Sequence, residues 1–327
     1  MKFSSILEKI DDEYRMSLDL VGKYEDGFRN SVFKLLDKKT EKNYVLIVYK
    51  RESGIQQTIN NAHLVAKFLS LKGFPTRIPI KTDKGKEKVN FKERYLALYN
   101  FLPGETIPWE AYTKKHLKAI GKTLSNLHFE LREYKEVENL TLWRDLVAGE
   151  VKGMKKYFRE VEQWIVKKLG IRNEELRIRK IFDFVMELDS NRAQALHYDF
   201  VRGNILFSDR VLKDNTYEIT GLIDFEKVCL GPPVADTART LSFLLVDTKF
   251  KDEKEVVKYF LDKGYNKRGN NKLQITNDKL KMLISYFWLR DFWKFLLHNP
   301  YEDLYSNEHY LRTVEKLLEK GVLTKVS

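Results

Sequence analysis

Between Leu196 and Asp209 the chain reads LHYDFVRGNILFSD, which sets His197, Asp199, Arg202 and Asn204 within eight positions between two apolar runs. Asp224 follows Asn204 by twenty residues, inside Ile223-Asp224-Phe225-Glu226. A carboxylate can take the proton of an attacking hydroxyl. An asparagine and a second carboxylate supply the hard oxygen ligands that suit Mg2+ on a phosphate chain. Phosphoryl transfer calls for both, because its transition state is met by positioning and electrostatics. Histidine, aspartate and asparagine are each common in turns. The joint pattern is what points to chemistry: H-x-D, an asparagine five residues after the aspartate, then I-D-F-E.

These residues need elements to hold them. His197 to Asn204 lie on an expected loop running into the strand NILF, and Tyr217 to Phe225 is its expected antiparallel partner. Upstream, Phe28 to Leu36 and Tyr44 to Lys50 are rich in β-branched, aromatic and other apolar residues and are separated by the polar DKKTEKN, which predicts a hairpin. Ile59 to Leu71 has helical apolar spacing and stops at Gly73 and Pro75. The strand YLALYNFL, Tyr95 to Leu102, ends at Pro103-Gly104. Beyond it the spacing predicts helices over Leu117 to Leu131, Leu142 to Leu169, Asn173 to Leu188, Leu280 to Leu297 and Tyr310 to Leu318. A sheet-rich lobe over 1–102 joined to a larger helical lobe over 103–327 is the simplest assembly.

Composition narrows the classes. With 327 residues and 43% apolar content the chain can bury a substantial core. Its single cysteine, Cys229, excludes an intramolecular disulfide or a cysteine metal cluster, so a reducing cytoplasm is expected. No run of eighteen apolar residues exists, so no membrane span is expected. The formal charge of +12 is spread among acids, as in KGMKKYFREVEQWIVKKLGIRNEELRIRK, the habit of solvated helix faces. No nucleic-acid-binding pattern accompanies it, so nucleic acid is not the expected partner.

HYDFVRGNILF resembles the H-x-D-x-x-x-x-N loop of the aminoglycoside phosphotransferase and choline kinase-like family, and LIDFEKVCLGPPVADTARTL resembles its I-D-F segment followed by G-x-P-x-x-D-x-A. The resemblance runs from roughly Val21 to Leu245. It implies an α+β, bilobal, protein kinase-like fold and transfer of the γ-phosphate of ATP or GTP to the hydroxyl of a metabolite or aminoglycoside-like compound. Asp199 would then be the base, Asn204 and Asp224 the Mg2+ ligands, His197 the residue that orients the loop, with Arg202 beside them. Asp236 would brace the loop, although an aspartate before TARTLSFLL also reads as a helix cap. The nucleotide would meet main-chain groups near Tyr99, Asn100 and Phe101 and lie between Val45 and the apolar Leu206 and Ile223, residues that equally suit a core. The acceptor pocket would draw on Glu226, Trp288, Asp291 and Trp293, with the same reservation. From Lys251 onward there are 15 Lys and Arg against 11 Asp and Glu, which is not the acidic bowl a polycationic antibiotic requires.

Two departures stand out. In NYVLIVYK the slot for the family's phosphate-binding cation falls on Ile47, whereas an alternative register selects Lys50, a strand-end lysine that reads equally as solvated. The following helix should carry a glutamate to pair with that cation, yet Ser53 to Thr82 contains no acid. Gln56, Gln57, Asn60, Asn61 or His63 are the candidates to substitute by hydrogen bonding. A nucleotide- or partner-binding protein without turnover is the alternative class these departures keep open.

Overall fold

The computed structural model describes residues 2–24, 30–108, 111–188, 193–248, 251–267, 273 and 275–326. Phe28, the first residue of the expected hairpin, lies outside them. The chain forms two compact units, one of Met1–Glu105 with Ile205–Ser208 and Ile219–Lys227, the other of Thr106–Asn204, Asp209–Glu218 and Val228–Ser327. The first unit thus takes in two segments that follow the H-x-D loop in sequence, besides the stretch over 1–102.

In the first unit, α1 (Phe3–Tyr14) precedes β1 (Leu18–Lys23), β2 (Ser31–Asp37), β3 (Asn43–Val48), α2 (Ile55–Leu71), β4 (Val89–Phe91) and β5 (Arg94–Asn100). The strands make a five-stranded antiparallel sheet in the order β1-β2-β3-β5-β4. The expected hairpin is there, with Val32 opposite Ile47, and Val45 lies opposite Tyr99 on β5. Alternation along a strand gives the sheet two apolar faces. Leu46 and Val48 pack with Leu96, Leu98 and the Ile6, Ile10 and Tyr14 stripe of α1, a helix that the sequence patterns above did not anticipate. Val45 and Tyr49 pack with Ala97, Tyr99 and the Ile55 and Ile59 stripe of α2, with Ile47 half-buried on the same side.

The second unit contains α3 (Lys114–Leu131), β6 (Thr141–Leu142), α4 (Trp143–Leu169), β7 (Ile171–Asn173), α5 (Glu175–Glu187) and β8 (Gln194–Leu196). Next come β9 (Ile205–Val211) and β10 (Tyr217–Leu222), the expected antiparallel partners, whose tips belong to this unit and whose bases belong to the first. The chain closes with β11 (Cys229–Gly231), α6 (Pro233–Asp247), α7 (Glu253–Val257), α8 (Asn277–His298), α9 (Glu308–Glu319) and β12 (Leu323–Lys325). Helix starts carry their chemistry locally: Thr113 caps α3 in a reciprocal box with His116, and Thr276 and Asn307 cap α8 and α9. β11 runs between β6 and β8, so the short strand before the H-x-D loop is anchored to the one that precedes α6. In the first unit, Gly104 at φ 101° brings the chain so close to the base of β9 that a Cβ there would lie 2.6 Å from the Phe207 carbonyl oxygen. Only glycine tolerates both conditions.

Candidate active site

In the second unit the polar loop is hung from one buried carboxylate. Asp236, in the first turn of α6, is fully buried and accepts the main-chain N–H groups of His197 at 3.0 Å and Tyr198 at 3.1 Å. His128 on α3 lies 3.2 Å from the same carboxylate through Nε2, and its other ring nitrogen meets the Tyr265 hydroxyl at 2.7 Å. Asp236 therefore does not cap α6: the helix begins with Pro233, and its N-cap position is Pro232. Its carboxylate makes no capping bond, and both of its oxygens go instead to the loop's N–H groups, which it braces.

The loop then turns sharply. Tyr198 sits at φ 59°, a left-handed conformation that costs a bulky residue about 1–3 kcal/mol and so needs support from its surroundings. The Asp236 bonds and the Thr240 hydroxyl, which donates to the Phe200 carbonyl at 2.9 Å, supply it. Asp199 is 6% exposed, and its N–H donates to His197 Nδ1 at 3.3 Å, so that ring nitrogen is the acceptor. Asn204 closes the turn by donating its amide to the Asp199 carbonyl at 2.9 Å and carboxylate at 3.2 Å. This leaves the Asn204 amide oxygen as the atom able to ligate a cation. Arg202 points elsewhere, with Nε 3.4 Å from Asp247 at the end of α6.

The first unit carries the second group of candidates. Asp224 is exposed at φ 61°, again a strained position for a non-glycine residue, directly after β10. Its Oδ1 accepts the Glu226 N–H at 3.4 Å, and the Glu226 carboxylate accepts from the Asn30 amide at 2.7 Å. Asn30 in turn accepts the Lys50 main-chain N–H at 3.2 Å. The Lys50 ammonium pairs with Glu52 at 3.1 Å, both side chains being partly exposed. Val45 and Leu206 are buried, and Ile223 is half-buried. Asn100 holds the segment after α2 with a main-chain bond to Ile78 and a side-chain oxygen accepting the Ile78 N–H at 2.6 Å. Lys34 stands 4.6 Å from the centre of the Phe101 ring.

Where related kinases pair a lysine with a glutamate, a hydrogen-bonded chain crosses the same face of the sheet. The Tyr49 and Tyr99 hydroxyls meet at 2.5 Å, Tyr99 meets His63 Nε2 of α2 at 2.6 Å, and His63 Nδ1 lies 3.3 Å from Glu87. Lys67 also reaches Glu87, at 2.7 Å. His63 is among the anticipated substitutes; Tyr49 and Glu87 are not. Tyr49 was visible as the next residue after Val45 and Ile47 in the period-two pattern, whereas Glu87 lies beyond α2 and carries no local signal. Burial drives the His63 ring down from 6.5 to about 4 against the pull of Glu87, so the ring is neutral near pH 7.

The acceptor candidates on α8 face inward. Trp288 is 2% exposed and donates its indole N–H to the Ser242 carbonyl at 2.9 Å. Asp291 is 8% exposed and accepts from Arg239 at 2.6 Å. Trp293 packs on Gly153, where a Cβ would lie 2.7 Å from its ring. Beside them Glu150 of α4 gathers Arg290 at 2.6 Å, Lys294 at 2.8 Å and the Tyr286 hydroxyl at 2.7 Å. Burial alone would raise the Glu150 carboxyl, but the two cations overcome it and hold it at about 2.

A sheet unit ending in a strained aspartate and a helical unit presenting an H-x-D loop are the parts of a kinase-like phosphotransferase. The chain belongs to the phosphotransferase enzyme family, whose pattern matches residues 21–258. Hydroxylysine kinase of Bos taurus is 25% identical over 205 residues, 57% of this chain and 52% of that protein, so the match spans about half of the relative's length. An amicoumacin kinase solved with AMP-PNP and Ca2+ has a TM-score of 0.72 at 14% identity, over 100% of this chain and 95% of that one. A spectinomycin phosphotransferase solved with ADP and spectinomycin gives 0.58 at 15% identity, over 95% and 93%. A Plasmodium vivax ethanolamine kinase gives 0.55 at 15% identity, over 93% and 83%. These likenesses establish the kinase-like α+β fold. No helix among the described residues is long and apolar enough to cross a membrane.

Proposed function

We propose that the protein transfers the γ-phosphate of ATP or GTP to a hydroxyl of a small molecule. The observation that carries this reading is the Asp199 loop, where a carboxylate is held by Asn204 and its backbone is fastened to Asp236 in the pattern of a matched phosphotransferase family. Asp199 takes the proton as the acceptor oxygen attacks the γ-phosphorus. The bond from that phosphorus to the diphosphate oxygen breaks, giving a phosphate ester and a nucleoside diphosphate.

Asn204 and Asp224 fit a hard divalent cation, since both offer oxygen and the Asn204 nitrogen is already committed to Asp199. Two such ligands suit Mg2+ shared with phosphates better than a cage made by protein alone. The cation would neutralise charge on the phosphate chain. His197 accepts the Asp199 N–H and keeps the loop in register. Hydroxylysine and ethanolamine, the acceptors named for two relatives, each carry an amine near a hydroxyl, and an acceptor of that amino-alcohol type is the first to try.

The test is incubation of a metabolite pool with γ-labelled ATP or GTP and Mg2+, reading which compound gains the label. Labelling that needs Mg2+ and vanishes in Asp199→Asn supports the reading. Nucleotide binding with no labelled product across a broad pool of hydroxyl compounds would replace it with a binding protein.

A further inference from the structure

We propose that Arg77 is the cation that holds the nucleotide's phosphate chain, taking over from the lysine that Ile47 displaces. This rests on the kinase reading above and adds to it a residue outside the family's usual cation slot. Lys50 is turned to Glu52, and Ile47 offers no charge. Arg77 lies in the segment after α2, which is tied on both sides. Pro75 accepts the Leu222 N–H at 2.8 Å, and the Arg77 N–H reaches the Leu222 carbonyl at 3.4 Å. The neighbouring Ile78 is bonded twice to Asn100. Arg77 is thereby fixed against the end of β10, two positions before Asp224, and beside the strand expected to meet the base.

The side chain is the unusual part. Arg77 Nε is buried with no hydrogen-bond partner. Among the described residues the guanidinium forms no ion pair. An arginine stays charged at neutral pH, and a half-buried guanidinium with a buried, unpartnered donor is disfavoured until an acceptor reaches it. Burial accordingly presses its pKa below the ordinary value, with Tyr24, Tyr99, Tyr49 and Asp224 as the groups within electrostatic reach. Tyr24 lies just beyond β1, and Asp224 is the proposed metal ligand. A cation within electrostatic reach of that ligand, with a donor left open, suits an anion with several oxygens. Guanidinium also offers a planar fork matched to phosphate.

The probes are Mg·ADP and adenosine, titrated calorimetrically into the full chain and its Arg77→Met and Arg77→Lys variants. Wild type should bind Mg·ADP more tightly than adenosine. Arg77→Met should lose about 10- to 100-fold for Mg·ADP and nothing for adenosine, and Arg77→Lys should recover part of the loss. Unchanged Mg·ADP affinity in Arg77→Met overturns the inference and leaves the kinase reading standing. Wild type that binds neither nucleotide nor nucleoside overturns both. Should Arg77→Met lose adenosine as well, its fold is damaged and the decision passes to wild type. There the Arg77 Nε–H resonance, assigned by its absence in Arg77→Lys, must move on adding Mg·ADP and not on adding adenosine. A resonance that ignores Mg·ADP overturns the inference.

Discussion

His197, Asp199 and Asn204 lie within one short loop, whereas Tyr49, His63, Arg77, Glu87 and Tyr99 come to the proposed nucleotide side of the first unit from separate segments. The two regions also differ in what organises them. The loop is fastened to a buried carboxylate, Asp236, which accepts two main-chain N–H groups. The sheet face is ordered by phenols and an imidazole bonded in series, with the carboxylate of Glu87 at the far end. The loop keeps the spacing of the family pattern, whereas the sheet face departs from it at Ile47 and in the acid-free helix that follows. A base must occupy one position relative to the acceptor, while a phosphate chain can be met from several directions by any well-placed donor.

The largest effect should come from Asp199→Asn. The substitution keeps the shape and the Asn204 contact partner but removes the base, and turnover should fall about 10²- to 10⁴-fold. Nucleotide affinity and the unfolding midpoint should hold, because the sheet face is untouched. Full activity measured in a folded variant would assign proton removal to another group and end the contrast between the two regions.

Asp236→Ala strikes the brace. It leaves the N–H groups of His197 and Tyr198 buried without an acceptor and takes away the carboxylate beside His128. A loss of about 3–5 kcal/mol of stability in urea unfolding is expected. Asp236→Asn keeps one acceptor oxygen, so it should recover part of this and show a lower kcat with little change in nucleotide KM. A lowered nucleotide affinity and an intact kcat would place Asp236 on the wrong side of the comparison.

A third test probes the neutral chain on the sheet. His63 titrates near 4 in the fold and near 6.5 when exposed, so the unfolded chain takes up the proton first. Its contribution to stability is complete above about 6.5 and is lost as pH falls toward 4. Glu87 faces the ring and favours protonation, while Lys88 and Lys67 oppose it. The urea midpoint of wild type should therefore fall more steeply over this interval than that of His63→Gln. Parallel profiles would show that the ring protonates as readily in the fold as in water.

The contrast also explains what could be read beforehand. The loop's polar residues and the flanking strands β9 and β10 were legible because spacing in sequence and closeness in space coincide there. The hairpin of β2 and β3 and the helices α3, α4, α5, α8 and α9 followed from periodicity for the same reason. Asp236 was flagged, but its action on residues about forty positions upstream needed the β8–β11 pairing that brings the segments together. His128, Arg77 and Glu87 leave no trace of this kind, since an isolated charged or aromatic residue in a loop or helix looks solvated until its neighbours are known. Trp288 and Asp291 stand in a crowd of aromatic and charged groups on α8 that suits either a binding wall or a core. Their polar atoms are spent on Ser242 and Arg239.

The smallest effect belongs to Lys50→Ala, which sharpens the comparison by what it leaves alone. The ammonium pairs with Glu52 at 3.1 Å, with the two side chains 39% and 26% exposed, and such surface pairs contribute about 0–1 kcal/mol. The main-chain N–H that Lys50 gives to Asn30 survives in alanine, so the link through Asn30 to Glu226 stays in place. Nucleotide affinity should then change by less than about threefold, and stability by no more than about 0.5 kcal/mol. Titration of Mg·ADP into the variant reads the first, and urea unfolding reads the second. A tenfold loss of affinity for Mg·ADP with adenosine unaffected would move the phosphate cation to the end of β3. Arg77 would then be left without its proposed ligand, and the nucleotide grip would return to the strand where the family pattern sought it.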